Sequence, residues 1–319
     1  MSYAQVIEVD DDVKAQVMDP TLDPKELEYC VTSPQSELRI AVAINPSLPK
    51  KFALWMTKDV DPFVRGSLAL NSNLDPEIIG LLAQDKHIFV LSSLASNAQI
   101  SHALLEEFAK HRSYIVRTAA GLNSNAPTQV LESLSQDLEW GVRASVAENQ
   151  STPSHILEKL SVDLILEVKI AVAGNPATPG HLLEGMLSNE YQLRSNVLLH
   201  QNLSDEFVKS IYNSALDALE DQDEDWGDDI KGDTDVRKLI AERKNLSRSL
   251  ISLIIEDKSY YVRSVLAANL SLDANDLSRL ALDENEDVRE AVVGNPNSSD
   301  EAKATATLLG LPERTDYDD

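Results

Sequence analysis

The sequence predicts an all-α protein: a right-handed-type α-solenoid of about eleven 26-residue two-helix repeats, carrying an acidic loop insertion. Three observations predict it. One short motif recurs at a fixed interval, and each interval holds two short helical patterns. Neither pattern buries its apolar face without a stacked neighbour.

The first copy, VKAQVMDPTLDP from Val13, has Asp19 where later copies place asparagine. LRIAVAINPSLP, VRGSLALNSNLD, VLSSLASNAQIS, VRTAAGLNSNAP, VRASVAENQSTP and VKIAVAGNPATP then begin at Leu38, Val64, Val90, Val116, Val142 and Val168, 26 residues apart. Their asparagines are Asn45, Asn71, Asn97, Asn123, Asn149 and Asn175. The register slips at Leu193 and Val236, where the asparagine is delayed to Asn202 and Asn245. It returns with Asn269 and Asn295. Within a unit such as TPSHILEKLSVDLILEVKIAVAGN, Thr152 or Ser154 is placed to cap a first helix with Pro153 in its first turn. Ile156, Leu157 and Leu160 form its apolar stripe. A second helix turns Val168, Ala171, Val172 and Ala173 inward, and its alanines permit close approach of the next helix.

This pattern resembles the variant leucine-rich repeat family, and its D-x-x-x-x-V-R segment is similar to the HEAT-repeat signature, over about residues 13 to 305. The resemblance implies short helical elements alternating along a curved superhelix, used as a binding scaffold. Some relatives carry an iron–sulfur centre on an N-terminal cysteine cluster. This chain has only Cys30, expected to be buried, so that cofactor is not carried over.

Composition narrows the function. The chain has 53 acidic against 28 basic residues, a net charge of −25. Nucleic acid is therefore not an expected partner, because phosphate contacts need a Lys/Arg surface. With 43% hydrophobic residues there is material for a core despite the acidity. No segment approaches the ~20 apolar residues of a membrane span, and the N-terminus lacks the pattern of a signal peptide. The expectation is a soluble, cytoplasmic protein, monomeric alone.

No phosphate loop, nucleophile elbow or zinc-protease motif occurs, so no catalytic, cofactor-binding or metal-binding residues are assigned. His155 and His181 share a register but stand ~10 Å apart in neighbouring layers, too far for one metal. The repeated Arg39, Arg65, Arg117, Arg143, Arg194, Arg237, Arg263 and Arg289, with Lys14 and Lys169 in the same register and Leu91 the exception, have an acidic residue six positions earlier in many units. Charges spaced this way are expected to bridge layers, and the asparagines to cap turns.

Two departures from the repeat point to binding. The first is a 17-residue expansion between Arg194 and Arg237, where residues 217–235 hold ten acidic residues against Lys231 alone. It reads either as a solvated acidic loop or as a hook in which Asp221, Asp223, Glu224, Asp225, Asp228 and Asp229 surround a Trp226 anchor. As a calcium loop it fits poorly: Trp226 and Gly232 stand where the glycine and glutamate of an EF-hand belong. The second departure is a row of aromatics three residues before the arginine: Tyr114, Trp140, Tyr191 and Tyr260. These either plug the gap between helices or line a recognition face, and exposure of Trp140 discriminates the two.

The expected organisation is an acidic tail (1–12), helical repeats (13–212), the acidic insert with Trp226 (213–235), further repeats with a C-terminal cap (236–310) and an acidic tail (311–319). The expected function is non-catalytic binding of a basic protein partner, one form being an immunity- or antitoxin-type inhibitor of a toxin or enzyme. The alternatives are a general assembly scaffold or chaperone, and a nucleic-acid enzyme resembling HEAT-like DNA glycosylases, which the net charge disfavours.

Overall fold

The structure, a computed structural model, describes residues 11–220 and 231–309. Among these residues all regular structure is helical. The chain divides into two compact units, Met1–Ala177 and Thr178–Asp319.

Unit 1 opens with α1 (Asp11–Met18) and continues in pairs: α2 (Pro24–Val31) and α3 (Ser36–Ile44), α4 (Lys50–Met56) and α5 (Pro62–Ala69), α6 (Pro76–Leu82) and α7 (Ile88–Ser96). It ends with α8 (His102–Phe108) and α9 (Tyr114–Leu122), α10 (Thr128–Leu134) and α11 (Trp140–Glu148), α12 (Ser154–Ser161) and α13 (Leu166–Gly174). The second helices, α3 to α13 by odd number, begin at 36, 62, 88, 114, 140 and 166 and keep the 26-residue period. They stack on one another, while each first helix packs mainly on the second helices beside it. The valine that opens each motif is the centre of this stack: Val64, Val90, Val116, Val142 and Val168 are fully buried. Small residues one or two turns later, such as Ala69, Ala95, Ala120, Ala147 and Ala173, are buried too and let the helices approach.

Two polar ladders lock the layers. Each motif asparagine is buried and donates from Nδ2 to two carbonyls of the preceding layer, as Asn149 does to Gly121 (2.7 Å) and Asn123 (2.8 Å). Its Oδ1 accepts the N–H two residues on, 2.9 Å from Ser151 N. The asparagine thus caps its own turn and also satisfies carbonyls left free at the previous helix end. Asp19 fills the first rung by accepting from Thr21. Thr152 does not cap α12, whose N-cap is Pro153; it is buried and donates to the carbonyl of Val146.

The arginine ladder runs the other way. Arg39, Arg65, Arg117 and Arg143 each clasp the aspartate 20 residues ahead through Nε and Nη2, with Nε–Oδ2 distances of 2.6–2.7 Å to Asp59, Asp85, Asp137 and Asp163. Nη1 turns back to the carbonyl six residues earlier, as in Arg143 to Asp137 at 2.8 Å. Burial pushes the Asp85 and Asp137 carboxyls up, but the arginine and the local backbone N–H groups outweigh it and hold both below the ordinary value. For Asp163 the Arg143 hydrogen bond is the largest influence, and its pKa is lowered as well.

Unit 2 comprises α14 (Gly180–Met186), α15 (Tyr191–Leu199), α16 (Asp205–Glu220), α17 (Lys231–Ala241), α18 (Arg248–Ile255), α19 (Tyr260–Ala268), α20 (Ala274–Leu280), α21 (Glu286–Gly294) and α22 (Asp300–Leu309). Here the asparagine ladder is not delayed to Asn202 and Asn245, as motif matching suggests; it is substituted. His200 follows α15 as Asn175 follows α13, and its Nδ1 accepts from Asn202 N at 3.1 Å. Arg243 takes the next rung, donating from Nη1 to the carbonyls of Leu198 and His200. Asn269 resumes on Ala241 and Arg243.

The expansion enters the core through α16, which is 16 residues long where other first helices have seven to ten. Its Tyr212 is fully buried and donates to Asp257, which also faces Arg237 Nε at 3.0 Å in an ion pair. Burial, then Asp257, drive the Tyr212 phenol far above its ordinary pKa. Of the span 213–235, residues 213–220 continue α16 and 231–235 open α17. A helix that continues past its usual end also removes the aspartate turn. Twenty residues after Arg194 and Arg289 stand Ser214 and Leu309 in place of an aspartate, and both Nε groups lack a hydrogen-bond partner among the described residues.

Candidate docking surface

The turn between a first and second helix sets where the aromatic row lies. In unit 1 the ladder aspartate accepts the N–H two residues on, so Asp137 holds Glu139 N at 3.0 Å and Asp163 holds Ile165 N at 2.9 Å. This fixes the residue after the aspartate at the tip of the turn and the residue three after it at the first position of the second helix. The tips are Val60, Lys86, Arg112, Leu138 and Leu164; the helix starts are Pro62, Ile88, Tyr114, Trp140 and Leu166.

Exposure separates this row from the core. Tyr114 is 52% and Trp140 47% exposed, so the side chains do not plug the helix gap; the valine two residues on does that, at 0%. Val60, Leu138 and Leu164 stand at 91%, 96% and 96%. Phe63 and Phe89, one position into their helices, pack as a tilted ring pair with centroids 5.1 Å apart. Gly66 makes that possible, since a Cβ there would run into the Phe89 ring. Layers one repeat apart thus align equivalent side chains along one edge of unit 1. In unit 2 Tyr191 is 60% exposed and its ring lies 6.0 Å from the Arg194 guanidinium. Tyr260 is half-buried against Tyr261, with centroids 4.0 Å apart. Tyr114 and Trp140 belong to one unit, Tyr191 and Tyr260 to the other.

The other predicted site residues, Asp221, Asp223, Glu224, Asp225, Trp226, Asp228 and Asp229, lie outside the described residues, as do the first ten residues and the last ten. Cys30 is buried and free, and burial, then Glu26, raise its thiol pKa. Among the described residues no cluster of His, Cys, Asp or Glu could hold a metal, and His155 instead meets Glu132 at 3.0 Å. No described helix is long and apolar enough to cross a membrane.

Sequence reasoning passed over the fully exposed aliphatic tips. Their signal is visible in the alignment: the position after the ladder aspartate carries Val60, Leu138 and Leu164, where a solvated turn calls for polar residues. The pairing of Leu91 with His111 was equally readable. Where the arginine is lost, so is the aspartate 20 residues ahead, and His111 Nδ1 takes over the turn by accepting from Ser113 N at 3.0 Å.

No family model matches the chain, and no curated protein matches it. Among solved structures it is similar to one described as a leucine-rich repeat variant with a novel repetitive protein structural motif, at 22% sequence identity over 71% of this chain and 88% of that one, with a TM-score of 0.44.

Proposed function

We propose that the protein is a non-catalytic interaction scaffold whose unit 1 docks a protein along the turn edge. The observation that carries this reading is the row of exposed aromatic and aliphatic side chains, Phe63, Tyr114, Trp140, Leu138 and Leu164 among them, on layers whose internal polar groups are already paired. Apolar side chains held rigidly at half to full exposure along one edge are what an interface core is made of.

The finer reading is that the partner is basic. The charge of −25 is concentrated in residues 217–235 and the two ends, while the ladder carboxylates are neutralised by their arginines. Acidic segments concentrated in this way speed encounter with a cationic protein. An immunity- or antitoxin-type inhibitor is one form of this, and an assembly scaffold or chaperone the other. A DNA-processing enzyme gains no support, because Arg39, Arg65, Arg117, Arg143 and Arg263 are clasped by aspartates and offer no free row of guanidiniums to phosphates.

The test is affinity capture of partners at low and high salt with the intact chain and with the acidic residues of 217–235 changed to their amides, each captured protein then being purified and titrated. The reading expects a basic protein whose affinity falls at high salt and with amide substitution. A captured protein indifferent to both would remove the basic-partner reading.

A further inference from the structure

The turn edge of unit 1 reverses its charge at its centre, in a molecule that is otherwise acidic. Lys86 and Arg112 occupy the same turn position in consecutive layers, both exposed, and neither has an ion pair among the described residues. Lys110 and His87 flank them. The turn before Arg112 carries His111 in place of an aspartate, since the ladder is interrupted there by Leu91 and His111, whereas Asp59, Asp85, Asp137 and Asp163 hold that place in four other turns of unit 1. On either side the tip position is aliphatic and almost fully exposed, Val60 at 91% and Leu138 at 96%. Along the edge the tips therefore read apolar, cationic, cationic, apolar.

We propose that this edge binds an extended acidic peptide segment, with Lys86 and Arg112 holding two carboxylates and Val60 and Leu138 receiving apolar side chains at either end. Layers stack at ~8–10 Å, and a ligand in the extended polyproline II conformation rises ~3.1 Å per residue with about three residues per turn, so every third ligand side chain lies on one face and meets successive layers. The ligand class is apolar-x-x-acidic-x-x-acidic-x-x-apolar. Flanking aliphatics favour a peptide over a phosphate polyanion, which has no apolar groups to offer them. The inference rests on the turn edge being a docking face and is independent of whether a second, basic region of the partner meets the acidic segments.

The probe is a fluorescein-labelled ten-residue peptide with leucine at both ends, aspartate at its fourth and seventh positions and serine or glycine elsewhere, titrated by anisotropy against the full chain. A companion peptide carries asparagine in place of aspartate. The expected result is binding of the acidic peptide that weakens with salt, at least tenfold weaker binding of the asparagine peptide, and at least tenfold loss in Lys86→Glu/Arg112→Glu, with no change in a Lys209→Glu control. The urea midpoint of each variant checks that it is folded. Absence of binding, or binding of both peptides alike, overturns the proposal. In the second case, loss of binding in Trp140→Ala would show that the docking face stands and only the assignment of charge fails.

Discussion

At the scale of single residues, the two ladders do different work. The asparagine spans two layers with one side chain, so truncation strands buried groups on both. Asn149→Ala removes the side-chain donor from the Gly121 carbonyl and the acceptor from the Ser151 N–H, and leaves the Asn123 carbonyl with Ala126 N alone. Each unsatisfied buried group costs about 1–3 kcal/mol, and partial rehydration at the turn offsets some of it. A loss of about 2–4 kcal/mol in urea unfolding is expected; a loss below about 0.5 kcal/mol would mean the rung is ornamental. The arginine rung makes a sharper prediction, because the molecule contains its own replacement. Arg117→Leu leaves the largely buried Asp137 carboxylate without its hydrogen-bonded guanidinium, with only Arg143 nearby, and should cost about 2–3 kcal/mol. Adding Asp137→His reproduces the Leu91 and His111 pair and should recover part of that loss. Additive losses would show that the native substitution of both residues is not a compensated exchange.

At the scale of elements, stability should depend on acidity in a direction the ladder fixes. Asp85, Asp137, Asp163 and Asp283 have folded pKa values below their ordinary ones. Their contribution is complete above the unfolded value of about 3.9 and is lost as the pH falls through the folded values. The urea midpoint should therefore hold to about pH 5 and decline below about pH 4, with a shallower decline in Asp137→Asn. A midpoint as high at low pH as at neutrality would contradict this. In unit 2, Tyr212→Phe removes a buried donor from Asp257 and should destabilise by about 1–3 kcal/mol. An unchanged midpoint would show that α16 is not fastened to the core through its phenol.

The helices themselves were legible because each rests on a recurring identity: a valine at the centre of the stack, an alanine at the close approach, an asparagine at the turn. What motif matching missed is function preserved under a change of residue. Any side chain with an N–H that reaches the carbonyls, or a nitrogen that accepts from the turn, fills an asparagine rung, so His200 and Arg243 were passed over for Asn202 and Asn245. The length of α16 was hidden by the acidic composition of residues 217–235, while the residues that seat it, Tyr212 and Ala215, are buried ones that precede this stretch. Periodicity placed Tyr114 and Trp140 at a helix start and could not say which way they point; the buried valine two residues later decides that.

At the scale of the whole molecule, charge is sorted by location. Ladder arginines and aspartates cancel inside the layers, so most of the net −25 belongs to the insert and the ends, leaving the unit 1 edge apolar with a cationic centre. A partner carrying both a basic surface and an acidic, apolar-flanked segment would meet both regions with complementary charge, and its association rate should fall as salt rises.

The central claim is that the turn edge of unit 1 is where a partner docks. The measurement that tests it most directly is the affinity of a purified captured partner for the intact chain and for Tyr114→Ala/Trp140→Ala. Both side chains are about half exposed, so the variant should unfold within about 1 kcal/mol of the intact chain. The account predicts a loss of affinity of about 30-fold or more, the roughly 2 kcal/mol expected of aromatic anchors at an interface centre. An affinity unchanged in a folded variant would contradict it.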